Sequence, residues 1–181
     1  SLLHKIARVN PAVVAVLSTG SVVGTWWKKD CRAILHTGLS GEAGAGAVMK
    51  ILTGAVNPSG KLTESWIWSY EDTPSYPCYP AKDRTLEYRE GIFTGYRYFE
   101  KNQIPVSFPF GFGLSYTTFA YRDLQVADKG ISLKVKNTGT VDGSEIVQMY
   151  VALPESKVSR PEKELKGFVK LHLKAGEEKE V

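Results

Sequence analysis

The sequence contains little cysteine and little histidine. Its 181 residues include two cysteines, Cys31 and Cys78, and three histidines, His4, His36 and His172. The cysteines form neither a C-x-x-C pair nor the spacing of a zinc site, so two reduced thiols are favoured, although one disulfide stays possible. The histidines show no ligand spacing, and surface or hydrogen-bonded histidines are the default. We therefore expect neither a metal site nor a cofactor.

Long apolar runs and clustered charge are also missing. No apolar run approaches the roughly 20 residues that cross a bilayer, and the N-terminus lacks the charged and apolar regions of a leader. We expect no membrane partner; the compartment is unknown, with the cytoplasm favoured. The net charge is +4, but acids interrupt the basic residues throughout. A nucleic-acid surface needs basic residues clustered on one face, so we expect no nucleic-acid partner.

The first third of the chain alternates between helix and strand patterns. Leu2–Val9 places its apolar residues on one helical face, and Asn10–Pro11 ends that helix. The β-branched run Ala12–Leu17 predicts a parallel strand covered on both faces, and Arg32–His36 predicts a second strand. A further helix follows. The order helix, strand, strand, helix is typical of an α/β layer architecture.

The second predicted helix, E-A-G-A-G-A-V-M-K-I-L-T-G, is rich in alanine and glycine. Ser40 is its expected cap, and Glu42 in the first turn suits the helix dipole. Each interior glycine costs about 1 kcal/mol, so we expect the helix backbone to approach a sheet closely. Gly54 is the expected C-terminal stop, and Asn57–Gly60 predicts a turn with proline at its second position.

The rest of the chain changes character twice. Between Glu64 and Thr118 aromatics, prolines and glycines dominate, which predicts a long, irregular but anchored connection, because disordered linkers are poor in aromatics. From Phe119 onward apolar residues alternate with polar ones, which predicts an all-β sandwich. Four or five strands are visible, whereas a complete sandwich of this type has about seven. We therefore expect the sequence to be a piece of a longer polypeptide.

Six segments carry a family resemblance. They are N-P-S-G-K-L (Asn57–Leu62), Y-R-E-G-I-F-T-G-Y-R-Y-F (Tyr88–Phe99), F-P-F-G-F-G-L-S-Y-T-T-F (Phe108–Phe119), V-K-N-T-G (Val135–Gly139), E-I-V-Q-M-Y-V (Glu145–Val151) and R-P-E-K-E-L-K-G-F (Arg160–Phe168). In this order they resemble the C-terminal part of family 3 glycoside hydrolases, the β-glucosidase and β-xylosidase group, and look most like the bacterial β-glucosidases.

The resemblance implies a fold that is α/β plus all-β. Residues 1–69 would be the C-terminal portion of an α/β sandwich domain. Residues 70–118 would be an aromatic-rich interdomain connection, and residues 119–181 an incomplete fibronectin-III-like β-sandwich.

The resemblance also implies a function, namely a segment of a retaining β-glucosidase-like hydrolase that cleaves terminal β-D-glucosyl or related residues. That chemistry needs two carboxyls about 5 Å apart. In the family the nucleophilic aspartate sits in a barrel domain, and the acid/base glutamate precedes the segment that Leu2–Leu17 matches. No catalytic or substrate-binding residue is therefore carried over to this chain. We expect the segment alone to be inactive, with a β-glucoside or oligosaccharide reached through the missing barrel. The alternative is a non-catalytic carbohydrate-binding or structural fibronectin-III-like module.

Some carboxylates have both a structural and a functional interpretation. Glu42 follows a glycine loop beside a strand end, where α/β sites form, but a role with the helix dipole is favoured. Glu87 and Glu90 flank Tyr88 and Arg89, and ion pairing is their favoured role. The expected arginine partners are Arg84, Arg89 and Arg97.

Aromatic side chains of the connection have the same two interpretations. Sugar C–H faces stack on tryptophan and tyrosine, so Trp66, Trp68 or Tyr88 could line the approach of a glucoside. Packing at a domain junction is favoured instead, because aromatics bury large areas and their polar tips find partners there.

Overall fold

The computed structural model describes residues 1–81, 84–128 and 130–181, so Lys82, Asp83 and Lys129 lie outside the description. The helices and strands in chain order are α1 (Leu2–Val9), β1 (Val14–Leu17), β2 (Ala33–His36), α2 (Gly44–Leu52), α3 (Tyr96–Lys101), β3 (Phe119–Ala127), β4 (Gly130–Asn137), β5 (Gly143–Val151), β6 (Glu164–Leu173) and β7 (Glu178–Glu180). Short 3-10 turns occupy Lys28–Asp30 and Tyr70–Asp72.

The chain divides into two compact units. The first unit comprises Ser1–Val48, Leu62–Gly111 and Ala152–Glu164, and the second comprises Met49–Lys61, Phe112–Val151 and Leu165–Val181.

In the first unit, the predicted N-terminal helix and both predicted strands are confirmed. Helix α1 is capped by Ser1, whose Oγ accepts a hydrogen bond from the amide of His4 at 3.2 Å. Strands β1 and β2 pair in parallel, from Val14 opposite Ala33 to Leu17 opposite His36.

The expectation that β1 is covered on both faces is wrong for the described residues. The side chains of Val14 and Val16 point to the same face of the strand and remain 47% and 43% exposed. The β-branched run correctly predicts the strand itself. Burial of its second face requires a covering layer that the described residues do not supply.

Helix α2 differs in detail from its prediction. It begins at Gly44, so Glu42 precedes the first turn rather than standing in it, and Ser40 is not the flanking residue. A Cβ on Gly44 would lie 2.4 Å from Ser40 Oγ, so the Ser40 side chain leaves no room for a larger residue at this position. At Gly46 a Cβ would meet no atom within 4 Å, which contradicts the expected close approach to a sheet. Gly54 has φ +76° and confirms the predicted C-terminal stop.

The aromatic connection is more structured than its composition suggests. Trp66 and Phe108 form an antiparallel bridge, and helix α3 occupies Tyr96–Lys101. This helix was not predicted, because six residues rich in aromatics carry no clear helical periodicity. Of the residues described, no helix is long and apolar enough to cross a membrane. Cys31 and Cys78 are both free thiols.

The second unit contains two sheets, ordered β3-β4-β7 and β5-β6. Strands β3 and β4 are antiparallel, with a register shift between Arg122 and Gln125. The unit's buried apolar cluster consists of Val135, Val147 and Leu173. Strands β4, β5 and β6 each supply one of these residues, so both sheets contribute to one core, as the period-two pattern predicts.

Candidate functional site

Hydroxyl side chains lie at the carboxyl ends of the two parallel strands, where α/β folds form their sites. Ser18 Oγ donates to the carbonyl of Gly38 at 3.0 Å, and Thr37 Oγ1 donates to the carbonyl of Leu17 at 3.0 Å. These contacts tie the two strand ends to each other. The hydroxyls are therefore engaged in holding the loops.

Trp66 is a packing residue in the first unit. It is 3% exposed, and its ring meets that of His36 edge to face with centroids 4.9 Å apart. A ring this deeply buried presents no face to a sugar. The structure therefore supports the packing interpretation for this tryptophan.

A lysine is held against two aromatic rings nearby in the same unit. Lys28 Nζ lies 4.2 Å from the ring centroid of Trp68 and 4.6 Å from that of Phe108. It also donates to the carbonyl of Ser107 at 3.1 Å. Cation–π contact covers part of the Trp68 ring, whose residue remains 37% exposed. One of the three candidate tryptophan and tyrosine rings is thus buried and another is partly occupied.

The third candidate ring is open. Tyr88 is 85% exposed in the first unit. Beside it Glu87 and Arg89 form an ion pair, which was one of the pairings expected from the sequence. Hydrogen bonding to Glu87 raises the pKa of the Arg89 guanidinium further above its ordinary value. The carboxylate of Glu87 is thus paired in the manner favoured from the sequence.

Glu42 and the histidines are separate features of the fold. Glu42 is exposed ahead of α2. His4 pairs with Asp30 at 3.1 Å, and His172 Nδ1 lies 3.2 Å from Ser144 Oγ. Within the described ranges, no three histidine, cysteine, aspartate or glutamate side chains are grouped so that they could hold a metal ion.

A buried ion pair lies inside the second unit. Lys61 Nζ is 3.0 Å from Glu145 Oε1 and donates to Glu145 Oε2 at 3.2 Å. Lys61 also donates to the carbonyl of Gly113 at 2.8 Å, and Glu145 Oε1 accepts from the amide of Ile146 at 2.9 Å. Burial raises the pKa of Tyr121, and the neighbouring Glu145 carboxylate adds to this effect. The charges are thus satisfied within the unit.

The turn before Lys61 is anchored by one amide side chain. Asn57 Nδ2 donates to the carbonyl of Asp142 at 2.9 Å, and its Oδ1 accepts from Ser115 Oγ at 2.9 Å and from the amide of Tyr116 at 2.8 Å. The motifs N-P-S-G-K-L and F-P-F-G-F-G-L-S-Y-T-T-F therefore meet through Asn57. Asn57 and the residues that it contacts thus have a structural role, since they hold the two segments together.

The sequence carried one usable signal for the buried pair. Gly143, Glu145 and Val147 are the alternate buried residues of β5. A carboxylate at an inward position of a strand implies a buried partner, because an unpaired buried charge is costly. The general period-two pattern after Phe119 was recognised from the sequence, but the inward position of Glu145 was not.

Comparison with known proteins identifies the family. Residues 1–116 match the family model described as "Glycosyl hydrolase family 3 C-terminal domain". Residues 145–181 match the model described as "Fibronectin type III-like domain". These matches define a C-terminal region that combines an α/β layer with a fibronectin-like part, and confirm the predicted fold class. The chain belongs to glycosyl hydrolase family 3.

Curated relatives extend across the whole chain. It is 46% identical to thermostable beta-glucosidase B of Acetivibrio thermocellus over 99% of its length. It is 42% identical to the exo-alpha-(1->6)-L-arabinopyranosidase of Bifidobacterium longum over 100%, and 43% identical to a beta-glucosidase of the yeast Kluyveromyces marxianus over 99%. These matches cover 25%, 25% and 22% of the relatives, so the chain spans about a quarter of their length.

A solved structure shows the same fold. The GH3 beta-glucosidase of Bifidobacterium adolescentis superposes with a TM-score of 0.94 at 43% identity. The superposition covers 99% of this chain and 28% of that protein.

Proposed function

We propose that this chain is the C-terminal portion of a retaining β-glucosidase-like hydrolase that removes terminal β-D-glucosyl or related residues. The main support is the similarity to β-glucosidases over nearly the entire chain, at 46% and 43% identity for two of them. Both catalytic carboxyls, which must stand about 5 Å apart across the scissile bond, then lie on parts of the polypeptide outside these residues. This segment contributes a scaffold. The substrate binds to the barrel domain, which lies outside these residues.

The organisation predicted from the sequence remains part of the proposal. Residues 1–69 complete an α/β sandwich domain, residues 70–118 connect it onward, and residues 119–181 belong to a fibronectin-III-like module. We also propose that the enzyme is of the bacterial type. The 46% identity to the Acetivibrio thermocellus protein supports this, and the yeast relative at 43% identity is the observation against it.

A chimera tests the proposed function. The matching quarter of the Acetivibrio thermocellus enzyme is replaced by residues 1–181, and hydrolysis of 4-nitrophenyl β-D-glucoside is measured. We expect the chimera to fold and to cleave the glucoside, because the carboxyls of the host are untouched. A folded chimera without activity would contradict the proposed role. The unmodified host enzyme is the positive control.

A second activity has a specific observation in its favour. The relative from Bifidobacterium longum, whose name states exo-alpha-(1->6)-L-arabinopyranosidase, is 42% identical over the whole chain. A 4-nitrophenyl α-L-arabinopyranoside assay of the natural full-length protein distinguishes the two. The ratio of kcat/KM for the two substrates shows which of the two sugars the enzyme prefers.

The non-catalytic alternative is tested on the isolated chain. A carbohydrate-binding module would be retarded in a gel that contains soluble β-glucan. We expect no retardation, because Trp66 is buried and Lys28 lies over part of the Trp68 ring, which leaves Tyr88 as the one open ring among the three candidates. Retardation together with an inactive chimera would favour the binding-module alternative.

A further inference from the structure

An open cavity lies in the first unit, between α3 and the segment that leads into β6. Its volume is about 360 Å³, and its lining is Ile92, Arg97, Val158, Ser159, Arg160, Pro161 and Glu164. Two ion pairs brace the walls of this cavity, Lys101 with Glu162 at 3.2 Å and Lys163 with Glu100 at 3.0 Å. These ion pairs join α3 to the segment that leads into β6, so the two sides of the cavity are connected to each other.

Two guanidinium groups line the cavity, those of Arg97 and Arg160. Arg97 Nη2 forms an ion pair with Glu164 Oε1 at 3.8 Å, which is beyond hydrogen-bond distance, and Arg97 Nε is buried without a hydrogen-bond partner. Arg160 lines the same cavity and forms no ion pair with any residue the structure describes. Because Arg97 Nε has almost no accessible surface, a ligand in the cavity would be held instead by the exposed Arg160 guanidinium and the terminal nitrogens of Arg97, which donate to acceptor oxygens.

The lining narrows the chemical class of that ligand. A planar guanidinium binds a carboxylate through two parallel hydrogen bonds. Small-molecule sites occupy about 300–1,000 Å³, so this cavity is larger than a single inorganic ion needs. Ile92, Val158 and Pro161 provide apolar walls for a carbon skeleton, and Ser159 provides a hydroxyl for further hydrogen bonds.

Glu164 adds a negative group to the lining. It would repel a dianion more than a monoanion, and its oxygens can accept hydrogen bonds from ligand hydroxyls. We propose that this cavity binds a sugar acid, a carboxylate-bearing monosaccharide of the aldonate or uronate class, between Arg97 and Arg160. This proposal rests on the cavity and does not depend on the activity of the complete enzyme.

Calorimetric titration compares three probes at constant ionic strength: sodium D-gluconate, D-glucose and sodium phosphate. It is performed on the 181-residue chain and on the chimera, so that binding is judged in a complete fold. We expect gluconate to bind at least about tenfold more tightly than either other probe, because only it combines a carboxylate with a sugar skeleton. If glucose bound as tightly as gluconate, the carboxylate would add nothing to the affinity and the proposed role of the two arginines would be wrong. Equal binding of phosphate would reduce the cavity to a simple anion site, and no binding of gluconate would exclude the proposal.

Two variants and a control sharpen the test. Arg160→Gln should weaken gluconate binding about tenfold, since it removes one charge-assisted contact. Glu164→Gln should strengthen it, because a repulsive carboxylate is lost. Lys157→Gln removes the same charge from an exposed position that does not line the cavity, and should leave the affinity within about twofold. Circular dichroism confirms that each variant is folded. An affinity that falls equally in Arg160→Gln and Lys157→Gln, or that falls in Glu164→Gln, would contradict the proposal.

Discussion

Lys61 and Glu145 form a bidentate ion pair in the interior of the second unit, with side chains only 15% and 10% exposed. The lysine comes from the N-P-S-G-K turn and the glutamate from β5, so the pair joins segments 84 positions apart. Transfer of two charges out of water costs free energy, so a buried ion pair needs close contact and additional hydrogen bonds to offset that cost.

The first prediction concerns Lys61→Met. The substitution leaves the Glu145 carboxylate buried without its cation, which should lower the free energy of unfolding by about 3 kcal/mol. Urea unfolding followed by circular dichroism measures this change. In the double variant Lys61→Met/Glu145→Leu no charge is left unpaired, and we expect it to recover at least about 1 kcal/mol of the loss. A single variant as stable as the unmodified chain would contradict the structural role of the pair.

The second prediction concerns alkaline pH. Burial and the nearby Glu145 carboxylate raise the pKa of Tyr121 above the ordinary value of 10.0. The unfolded chain therefore loses this proton at a lower pH than the folded chain. Its contribution to stability is complete below pH 10 and declines as the pH rises above that value.

Tyr121→Phe is the matched variant, since it removes the titrating hydroxyl and keeps the ring. Between about pH 10 and 11.5, the free energy of unfolding should fall less steeply with pH in this variant than in the unmodified chain. Parallel slopes for the two proteins would show that Tyr121 titrates normally in the folded state.

The third prediction concerns Asn137, which is fully buried at the end of β4. Its Nδ2 donates to the carbonyls of Val141 and Leu173 at 2.9 and 3.2 Å, and its Oδ1 accepts from Thr117 Oγ1 at 2.6 Å and from the amide of Gly139 at 3.1 Å. All four hydrogen-bonding positions of the amide are therefore used.

Asn137→Ala should destabilise the chain by about 3 kcal/mol, because it leaves buried groups unpaired. Asn102→Ala is the control: its side chain makes one exposed hydrogen bond, to the carbonyl of Tyr98. We expect the control to cost no more than about 0.5–1 kcal/mol. Thermal unfolding of both variants provides the comparison, and equal losses would mean that the buried amide has no special role.

The fourth prediction compares two glycines. A Cβ on Gly113 would lie 2.3 Å from the carbonyl oxygen of Gly60, and a backbone atom cannot easily move away. Gly113→Ala should therefore lower the thermal midpoint. Gly46 lies within α2 with nothing near its missing Cβ, so Gly46→Ala should add about 1 kcal/mol through helix propensity. The two substitutions add the same methyl group. Shifts of the same sign would refute this distinction.

Features that depend on neighbouring residues were predictable from the sequence. Helix α1 follows from its apolar spacing and its proline stop, and the left-handed glycine Gly54 follows from the end of the helical pattern. The strands of the second unit follow from period two. In each case the information lies within a few positions along the chain.

Features that depend on distant residues were not predictable. Lys28 reaches the carbonyl of Ser107 across 79 positions, and its approach to Trp68 and Phe108 leaves no local pattern. The cavity beside Arg97 combines α3 with a segment some 60 positions later. Tertiary packing alone creates such contacts, so a local pattern cannot reveal them.

The proposal that this segment is a scaffold and that catalysis occurs elsewhere in the polypeptide has one most direct test. Initial rates of 4-nitrophenyl β-D-glucoside cleavage are compared at equal concentration for the 181-residue chain and for its chimera with the Acetivibrio thermocellus host. We expect turnover by the chimera and no rate above the buffer blank for the chain alone. Sustained turnover by the chain alone would place the catalytic carboxyls within these residues and contradict the proposed scaffold role.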